Sequence, residues 1–241
     1  HKSPPYNEAL KQARIQVEAK CEESPQAELC NRVGWYKGSI YYDLVTPDWK
    51  GVAIKRTGWD IVYLPPVFKR YNHQNTQVIP VKGHDPRKLL DFCNINEDDH
   101  CLFMATLASF FIPDIPHVIQ ALIGEQGMGK SSNSRLIKGL CDPSKVMLMS
   151  SPKDLEQAQM IADKHWVNAY DNLSKISDWF SDFLCRAVTG EGDMRRSLYT
   201  NDDVLIRAYR RCFVLNGIGN FLCKPDLLDR AVIFNIPALK E

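Results

Sequence analysis

Long apolar runs, paired cysteine motifs and an excess of charge of one sign are all missing from this sequence of 241 residues. No apolar run approaches the roughly 18–20 residues that a membrane span needs, and there is no signal peptide, so we expect no membrane association. The eight cysteines show no C-x-x-C spacing and no histidine at ligand spacing. Such cysteines are typical of reduced thiols in an intracellular protein and disfavour a zinc site.

The charges almost cancel, with 30 lysines and arginines against 29 aspartates and glutamates. This balance gives no global attraction to nucleic acid, but it leaves room for a local basic patch whose charge is offset elsewhere. The chain opens with His1 rather than methionine, so we expect it to be a piece of a larger protein with further modules.

Two regions precede the longest part of the chain. Residues 1–33 carry apolar residues near helical spacing and are predicted to form an exposed helical segment. Residues 34–85 contain short β-like runs separated by turn residues, which predicts a small β-rich subdomain built as an antiparallel meander. We interpret its tryptophans, Trp35, Trp49 and Trp59, as core and cross-strand packing residues, with base stacking as the alternative use.

The third region, residues 86–241, alternates predicted helices with short apolar strands. The predicted strands are 118–123, 166–171, 212–216 and 231–236, and the predicted helices are 87–94, 99–111, 132–140, 152–162 and 177–188. This rhythm indicates an α/β fold with a doubly wound, mostly parallel sheet, preceded by the small β-rich and helical N-terminal region. Ligands of such sheets bind beyond the carboxyl ends of the strands.

A glycine-rich stretch follows the first of these strands. Its letters, GEQGMGKS from Gly124 to Ser131, fit the phosphate-binding pattern G-x-x-x-x-G-K-S between a strand and a helix. Backbone N–H groups of such a loop point at the phosphates of a nucleotide, and the helix N-terminus adds partial positive charge. The residues expected to bind ATP are Gly124, Glu125, Gln126, Gly127, Met128, Gly129, Lys130, Ser131 and Ser132. A plain glycine-rich turn is the alternative, but strand, motif and helix occur in the order that indicates a P-loop NTPase.

Three side chains are expected to handle the triphosphate and its metal ion. Lys130 supplies a positive charge to the phosphates, and the Ser131 hydroxyl would complete a Mg²⁺ shell. Asp171 ends the second predicted strand, where an acid that holds Mg²⁺ is expected.

The residue after Asp171 does not identify the general base of hydrolysis. Many ATPases carry an acid at this position, whereas the amide of Asn172 cannot accept a proton. The candidates are Asp171 itself, Glu125, Glu191, or a water that Asn172 merely orients.

Two further polar residues stand beside the last two predicted strands. Asn216 ends the third strand, where its amide could contact a γ-phosphate or the attacking water; an ordinary Asn-Gly turn is the alternative. Arg230 precedes the last strand and could stabilise transition-state charge in a neighbouring subunit, as an arginine finger does. A salt bridge to Asp226 or Asp229 is the alternative.

In their order, these motifs resemble those of the hexameric AAA+ ATPases of helicase superfamily 3, and especially the primase-helicase ATPases of phages, poxviruses and integrated mobile elements. The resemblance covers roughly residues 100–240. Besides the glycine-rich loop, the segments that carry it are Val167–Asn172, Thr189–Tyr199, Val214–Gly217 and Pro225–Arg230.

The resemblance assigns a role to each candidate residue. It implies that Lys130 and Ser131 belong to Walker A, that Asp171 is Walker B, that Asn216 is the first sensor and that Arg230 is the arginine finger. It also implies a hexameric ring with ATP and Mg²⁺ bound between subunits.

The family further places a β-hairpin before the sensor strand, where it projects into a central channel and grips DNA. Residues 195–211 interleave arginines and tyrosines here, which suits contact with a charged backbone and stacking with bases. The arginines expected to contact nucleic acid are Arg195, Arg196, Arg207 and Arg210. The expected tip, Asn201-Asp202-Asp203, is acidic where the family usually has a basic residue, and a solvated surface hairpin is the alternative.

The predicted function is therefore that of an ATP-dependent nucleic-acid translocase, the helicase part of a replication protein from a phage or mobile element. The expected partners are single-stranded DNA, with RNA as the open alternative, other copies of the chain, and primase or other replication modules. The expected location is the cytoplasm of a bacterium or an infected host cell. Two rivals stay open: a P-loop phosphotransferase acting on a small molecule, and a nucleotide-binding switch with little hydrolysis, which Asn172 favours.

Overall fold

The computed structural model of this chain describes residues 7–22, 29–190, 193–196, 204–207 and 210–239. A helix, an antiparallel sheet and an α/β unit with a parallel sheet follow one another along these residues. The mixed α/β architecture and the mostly parallel main sheet confirm that part of the prediction. Within the described ranges, no helix is both long and apolar enough to pass through a lipid bilayer.

The antiparallel sheet confirms the predicted meander and adds one strand at its start. Helix α1 (Asn7–Glu22) precedes it, and every side chain described on that helix is exposed. The strands of the sheet are β1 (Val33–Tyr36), β2 (Ser39–Asp43), β3 (Lys50–Lys55) and β4 (Gly58–Tyr63), each paired with the next. The sheet with its turns, residues 33–63, is called the meander below.

The tryptophans of the meander depart in part from the packing interpretation. Trp59 is partly buried and packs against the hydrophobic core, as expected. Trp35 and Trp49 are 42% and 47% exposed. Trp49 lies in the loop between β2 and β3, where strand alternation does not determine the direction of a side chain.

The parallel sheet lies at the centre of the α/β unit. Its strands are β5 (Ile119–Ile123), β6 (Val167–Leu173), β9 (Cys212–Gly217) and β10 (Ala231–Asn235), in the spatial order β10–β5–β9–β6. An isolated parallel bridge between Met149 and Tyr170 extends the sheet beyond β6. The central strand β9 is buried over its whole length, as expected for a strand covered on both faces.

Helices cover both faces of the parallel sheet. On one face lie α2 (His100–Ser109) and α3 (Lys130–Cys141); on the other lie α4 (Leu155–Lys164), α5 (Asp178–Thr189) and α6 (Pro225–Leu228). Neighbouring residues of one strand divide between the faces, with Leu122 in the first hydrophobic cluster and Ala121 in the second. The first cluster also contains Val33, Tyr42 and Val52, so the meander packs on the same side as α3. The predicted helix 87–94 is a 3₁₀ helix, Pro86–Phe92.

A buried ion cluster fixes the end of α3 to the chain before β1. It consists of Arg32, Lys138 and Asp142, whose side chains are fully buried. Asp142 accepts hydrogen bonds from Arg32 Nε at 3.0 Å and from Lys138 Nζ at 2.6 Å. Burial raises the pKa of Asp142, but the two cations outweigh burial and hold that pKa well below its usual range. Removal of one partner would leave a buried charge without its counter-charge. The three side chains must therefore stay close together.

A short hairpin stands between α5 and β9, where the resemblance placed one. Its strands β7 (Asp193–Arg196) and β8 (Val204–Arg207) are antiparallel, with Arg196 paired to Val204. The expected tip, Asn201–Asp203, lies outside the described residues, and so does Glu191.

Candidate functional site

The glycine-rich loop joins β5 to α3 at the carboxyl edge of the parallel sheet. Gly127 and Gly129 have φ angles of +86° and +82°, in the left-handed region that glycine adopts without strain. Gly129 stands directly before α3, so the helix begins at Lys130. The first backbone N–H groups of α3 have no partner within the helix and carry partial positive charge, which suits an anion.

The start of the loop is held by close packing. A Cβ atom on Gly124 would meet Met128 Sδ at 3.0 Å and the carbonyl oxygen of Ile236 at 3.2 Å. A larger residue would therefore push the loop away from the end of β10. Glycine suits position 124 because Met128 and Ile236 pack closely against it. It suits positions 127 and 129 because the backbone there has a positive φ angle.

Lys130 places its positive charge across the loop. Its side chain is largely buried, and its Nζ donates a hydrogen bond of 2.5 Å to the carbonyl oxygen of Glu125. A carbonyl oxygen is an acceptor that a phosphate oxygen can replace. The lysine thus contacts the backbone of the loop.

Ser131 and Asp171 are in direct contact, although they lie on different elements. The Ser131 hydroxyl donates to Asp171 Oδ1 at 2.8 Å. Asp171 stands in β6 at a register shift between Tyr170 and Leu173, and its backbone N–H donates to the carbonyl oxygen of Met149 at 2.8 Å. A hydroxyl beside a carboxylate provides the oxygen ligands that a hard divalent cation prefers.

Asn172 lies in the left-handed region, with φ of 57°, and its side chain is exposed. Asparagine tolerates this conformation better than most residues other than glycine. Its backbone N–H donates to Asn216 Oδ1 at 3.1 Å. The local backbone therefore suits asparagine, although aspartate would tolerate the same conformation.

Asn216 connects β6 to α3 at the end of β9. Its Oδ1 accepts the bond from Asn172, and its Nδ2 donates to Ser134 Oγ at 2.8 Å. The residue is 1% exposed. An amide carries two N–H donors, and the bond to Ser134 uses one of them.

Sequence reasoning missed two asparagines beside the loop, Asn94 and Asn133, which together are called the asparagine clamp. Asn94 Nδ2 donates to the carbonyl oxygens of Met128 at 3.0 Å and Pro237 at 2.7 Å. Asn133 Oδ1 accepts from the Asn94 N–H at 3.1 Å, and its Nδ2 donates to the Asn94 carbonyl oxygen at 2.9 Å. These four bonds tie the segment after the 3₁₀ helix to the loop, to α3 and to the chain after β10.

Arg230 lies at the opposite, amino edge of the parallel sheet. Its carbonyl oxygen accepts from the N–H of Ile119, the first residue of β5, at 2.8 Å. Its guanidinium forms an ion pair with Asp226 and lines a polar surface cleft of about 380 Å³. The salt bridge considered as an alternative is therefore present, and Arg230 is far from the loop of its own chain.

The candidate nucleic-acid contacts lie on the hairpin and at its base. Arg195, Arg196 and Arg207 belong to β7 and β8, and their side chains are outside the described part of the structure. Arg210 follows the hairpin and donates from Nε to the carbonyl oxygen of Thr189 at 3.0 Å, at the end of α5. Within the described residues, no group of three or more His, Cys, Asp and Glu side chains is arranged to hold a metal ion.

Comparison with known proteins identifies one family. The family described as actinomycete integrative conjugative element replication protein matches residues 87–239, more than half of the chain. No curated protein matches the sequence. Among solved structures, the A form apo structure of the NrS-1 C-terminal region matches with a TM-score of 0.42 and 16% identity, over 95% of this chain and 53% of that chain. This chain thus spans about half the length of that one, and a TM-score of this size does not establish a common fold.

Proposed function

Since this chain belongs to the family of actinomycete integrative conjugative element replication proteins, we propose that it is the ATP-hydrolysing, DNA-translocating part of such a protein. The proposal assigns the α/β unit to the P-loop NTPases of AAA+ type and relates it to the helicases of superfamily 3. The contact between Ser131 and Asp171 is the observation that supports it most directly. It brings the end of the glycine-rich motif and the strand-end acid together at the edge where a ligand of such a sheet binds.

The loop and Lys130 would hold the phosphates of ATP. The N–H groups of the loop and of the first turn of α3 would donate to the β- and γ-phosphate oxygens. Lys130 Nζ would exchange the carbonyl oxygen of Glu125 for a phosphate oxygen. Because the lysine already contacts the loop backbone, this exchange needs only a small movement of its side chain.

Ser131 and Asp171 fit a magnesium ion, since both present oxygen atoms. The ion would neutralise negative charge on the phosphates during transfer. Asn216 would orient the attacking water or contact the γ-phosphate through its remaining N–H, while its other bonds hold Asn172 and Ser134 in place. Activation of water requires a proton acceptor, which Asn172 lacks, so we assign it to a carboxylate, either Asp171, Glu125 or Glu191.

The positions of Arg230 and the hairpin suit an assembly of several copies. Arg230 lies at the edge opposite its own loop, so it could only act on ATP bound by a neighbour. In a ring, the hairpins β7–β8 would line a channel for single-stranded DNA. ATP hydrolysis at each interface would then move the hairpins along the strand.

The decisive experiment measures ATP hydrolysis by this chain with and without single-stranded DNA. We expect hydrolysis that single-stranded DNA stimulates and that Lys130→Ala abolishes. Lys153→Ala, which removes an exposed lysine outside the loop, is the matched control and should leave the rate unchanged. Hydrolysis that survives in Lys130→Ala would show that ATP binds elsewhere.

A nucleotide-binding switch with little hydrolysis is the second candidate, because Asn172 replaces the expected acid. Equilibrium binding of ATP without phosphate release, with or without DNA, would favour the switch. Phosphorylation of a small-molecule acceptor in place of phosphate release would instead indicate a phosphotransferase. Both outcomes contradict the translocase.

A further inference from the structure

Two exposed aromatic residues belong to the end of the meander where β3 begins and β4 ends. Trp49 is 47% exposed and Tyr63 is 73% exposed. The N–H of Leu64, the residue after Tyr63, donates to the carbonyl oxygen of Trp49 at 2.9 Å. Single exposed apolar residues are common on protein surfaces, so the organisation around these rings is what matters.

A cationic side chain lies near each ring. The guanidinium of Arg70 lies 3.9 Å from the centre of the Trp49 ring, over one face. Lys50, the strand partner of Tyr63, has its Nζ 6.0 Å from the centre of the Tyr63 ring. Lys69 precedes Arg70 in the chain and is exposed, with its Nζ 5.2 Å from the centre of the Tyr71 ring. These five residues, Trp49, Lys50, Tyr63, Lys69 and Arg70, are called the Trp49 surface.

The loop that presents Trp49 is strained and firmly held. Val45 and Trp49 have φ angles of 54° and 58°, which are rare for branched or bulky residues. Arg70 donates to both carboxylate oxygens of Asp43, at 2.8 and 2.7 Å, and to the carbonyl oxygen of Thr46 at 2.6 Å. Asp43 in turn accepts from the Val45 N–H at 2.7 Å. Strain of this kind persists where the surroundings fix it, often at sites that bind a ligand.

The charge of this part of the chain differs from that of the rest. Residues 29–85 contain eight lysines and arginines against four acids, a net charge of +4, although one of the eight, Arg32, is buried in the ion cluster. The remaining residues contain 22 against 25, a net charge of −3. The near-neutral total conceals this asymmetry. A basic region of this kind attracts a polyanion.

We propose that the Trp49 surface binds single-stranded DNA, as a second contact separate from the hairpin β7–β8. Bases would stack on Trp49 and on Tyr63. Phosphates would lie near Lys69 and near Lys50, which would exchange its ion pair with Asp48, 2.8 Å long, for a phosphate oxygen. Only unpaired bases expose a face that can stack in this way, which excludes duplex DNA as the preferred ligand. The surface extends the proposed function by a DNA contact, but its binding needs no ATP hydrolysis.

The test measures binding of the 241-residue chain, without nucleotide, to a fluorescein-labelled oligothymidylate of about 20 nucleotides, longer than the site of a typical single-strand module. In fluorescence anisotropy, Trp49→Ala and Tyr63→Ala should each raise Kd on the order of tenfold, the loss expected for one stacked base. Trp49→Phe should restore most of the affinity. Phe92→Ala removes an aromatic ring that is 76% exposed outside the meander, and it should leave Kd unchanged.

Two additional measurements separate stacking, charge and folding. Lys50→Gln and Lys69→Gln should each make the dependence of log K on log salt shallower by roughly 0.7, the value for one phosphate contact with a single strand. Tyr63→Ala should keep the circular dichroism spectrum and the thermal midpoint of the unaltered chain. A lower Kd for DNA duplex or for oligouridylate than for oligothymidylate would overturn the assignment to single-stranded DNA.

Comparison with ATP hydrolysis distinguishes failure of this proposal from failure of the proposed function. Trp49→Ala and Tyr63→Ala should retain the hydrolysis rate measured without DNA. The variant that combines Trp49→Ala and Tyr63→Ala is also combined with Arg195→Ala and Arg196→Ala, which disable the hairpin. If it still binds oligothymidylate as tightly as Phe92→Ala does, the Trp49 surface is not a DNA site. If the chain hydrolyses no ATP but its DNA binding still depends on Trp49, the proposed function is wrong. The assignment of the Trp49 surface as a DNA site is then still supported.

Discussion

The hydroxyl group of Ser131 donates a hydrogen bond of 2.8 Å to the carboxylate of Asp171. The serine belongs to the first turn of α3, and the aspartate lies at the irregular end of β6. Two residues that are 40 positions apart in the sequence thus share one small volume beside the glycine-rich loop. Substitutions of this pair report directly on the proposed metal site.

Asp171→Asn should leave ATP binding weak but measurable while Mg²⁺-dependent hydrolysis falls by roughly 100-fold or more. The amide keeps the shape of the carboxylate and can still accept from Ser131, but it loses the charge that holds the ion. The measurement is steady-state phosphate release during a Mg²⁺ titration, with the exposed loop variant Asp114→Asn as control. Unchanged turnover would show that another group holds the metal.

Arg230→Ala should permit ATP binding and reduce hydrolysis by on the order of 10³-fold in an assembled ring, the effect of losing an arginine finger. Mixing Arg230→Ala with Lys130→Ala subunits should restore part of the activity, because some interfaces then pair an intact loop with an intact arginine. Asp226→Asn frees the same arginine from its ion pair and should not reduce the rate. If the two variants are shown to co-assemble and no activity is recovered, Arg230 acts only through its ion pair with Asp226.

Asn94→Ala should raise KM for ATP about tenfold with little change in kcat, because the clamp positions the loop and does not touch the reacting atoms. The expected loss corresponds to about 1–3 kcal/mol for hydrogen-bond acceptors left without a donor. Asn96→Ala is the matched control, since Asn96 donates to the Asn235 carbonyl oxygen at 2.8 Å on the same segment. Equal changes of KM in both variants would indicate a general loosening of the segment.

His117→Phe should make stability less dependent on pH. His117 is buried, its ring nitrogens have no partner among the described residues, and its ring contacts Phe110 and Trp166 edge to face. Burial, with the charges of Arg210 and Arg211, lowers the pKa of His117 to about 4 from its usual 6.5.

Between these two values the unfolded chain binds a proton that the folded chain does not. The free energy of unfolding should therefore fall as the pH drops from about 6.5 to about 4, by about 1.4 kcal/mol per pH unit for this group. His117→Phe should remove that part of the slope in urea unfolding measured at several pH values. An unchanged slope would assign the dependence to other groups, such as His165, whose pKa burial also lowers.

The sequence predicts best those features that a single short segment determines. The glycine-rich loop was recognisable because its spacing and its flanking strand and helix lie within one short segment, and the loop does connect β5 to α3. Asp171 was recognisable because it ends an apolar run. The meander followed from alternating runs and turn residues, although β1 was too short to stand out.

The remaining features depend on distant partners. Asn94 forms its bonds to residues 34 and 143 positions away, and nothing near it in the sequence marks it. The loop before Trp49 is held by Arg70, which binds Asp43 from 27 positions away. The left-handed backbone at Asn172 arises from the shift of β6 against β9, which no single-strand pattern contains.

Helix α3 is anchored at both of its ends. The asparagine clamp holds its first turn to the loop, and the buried ion cluster holds its last turn to the chain before β1. A shift of this helix relative to the meander would pull a carboxylate away from two cations where no water can replace them. A displacement of α3 at the loop is therefore coupled, through Asp142 and Arg32, to the start of the antiparallel sheet.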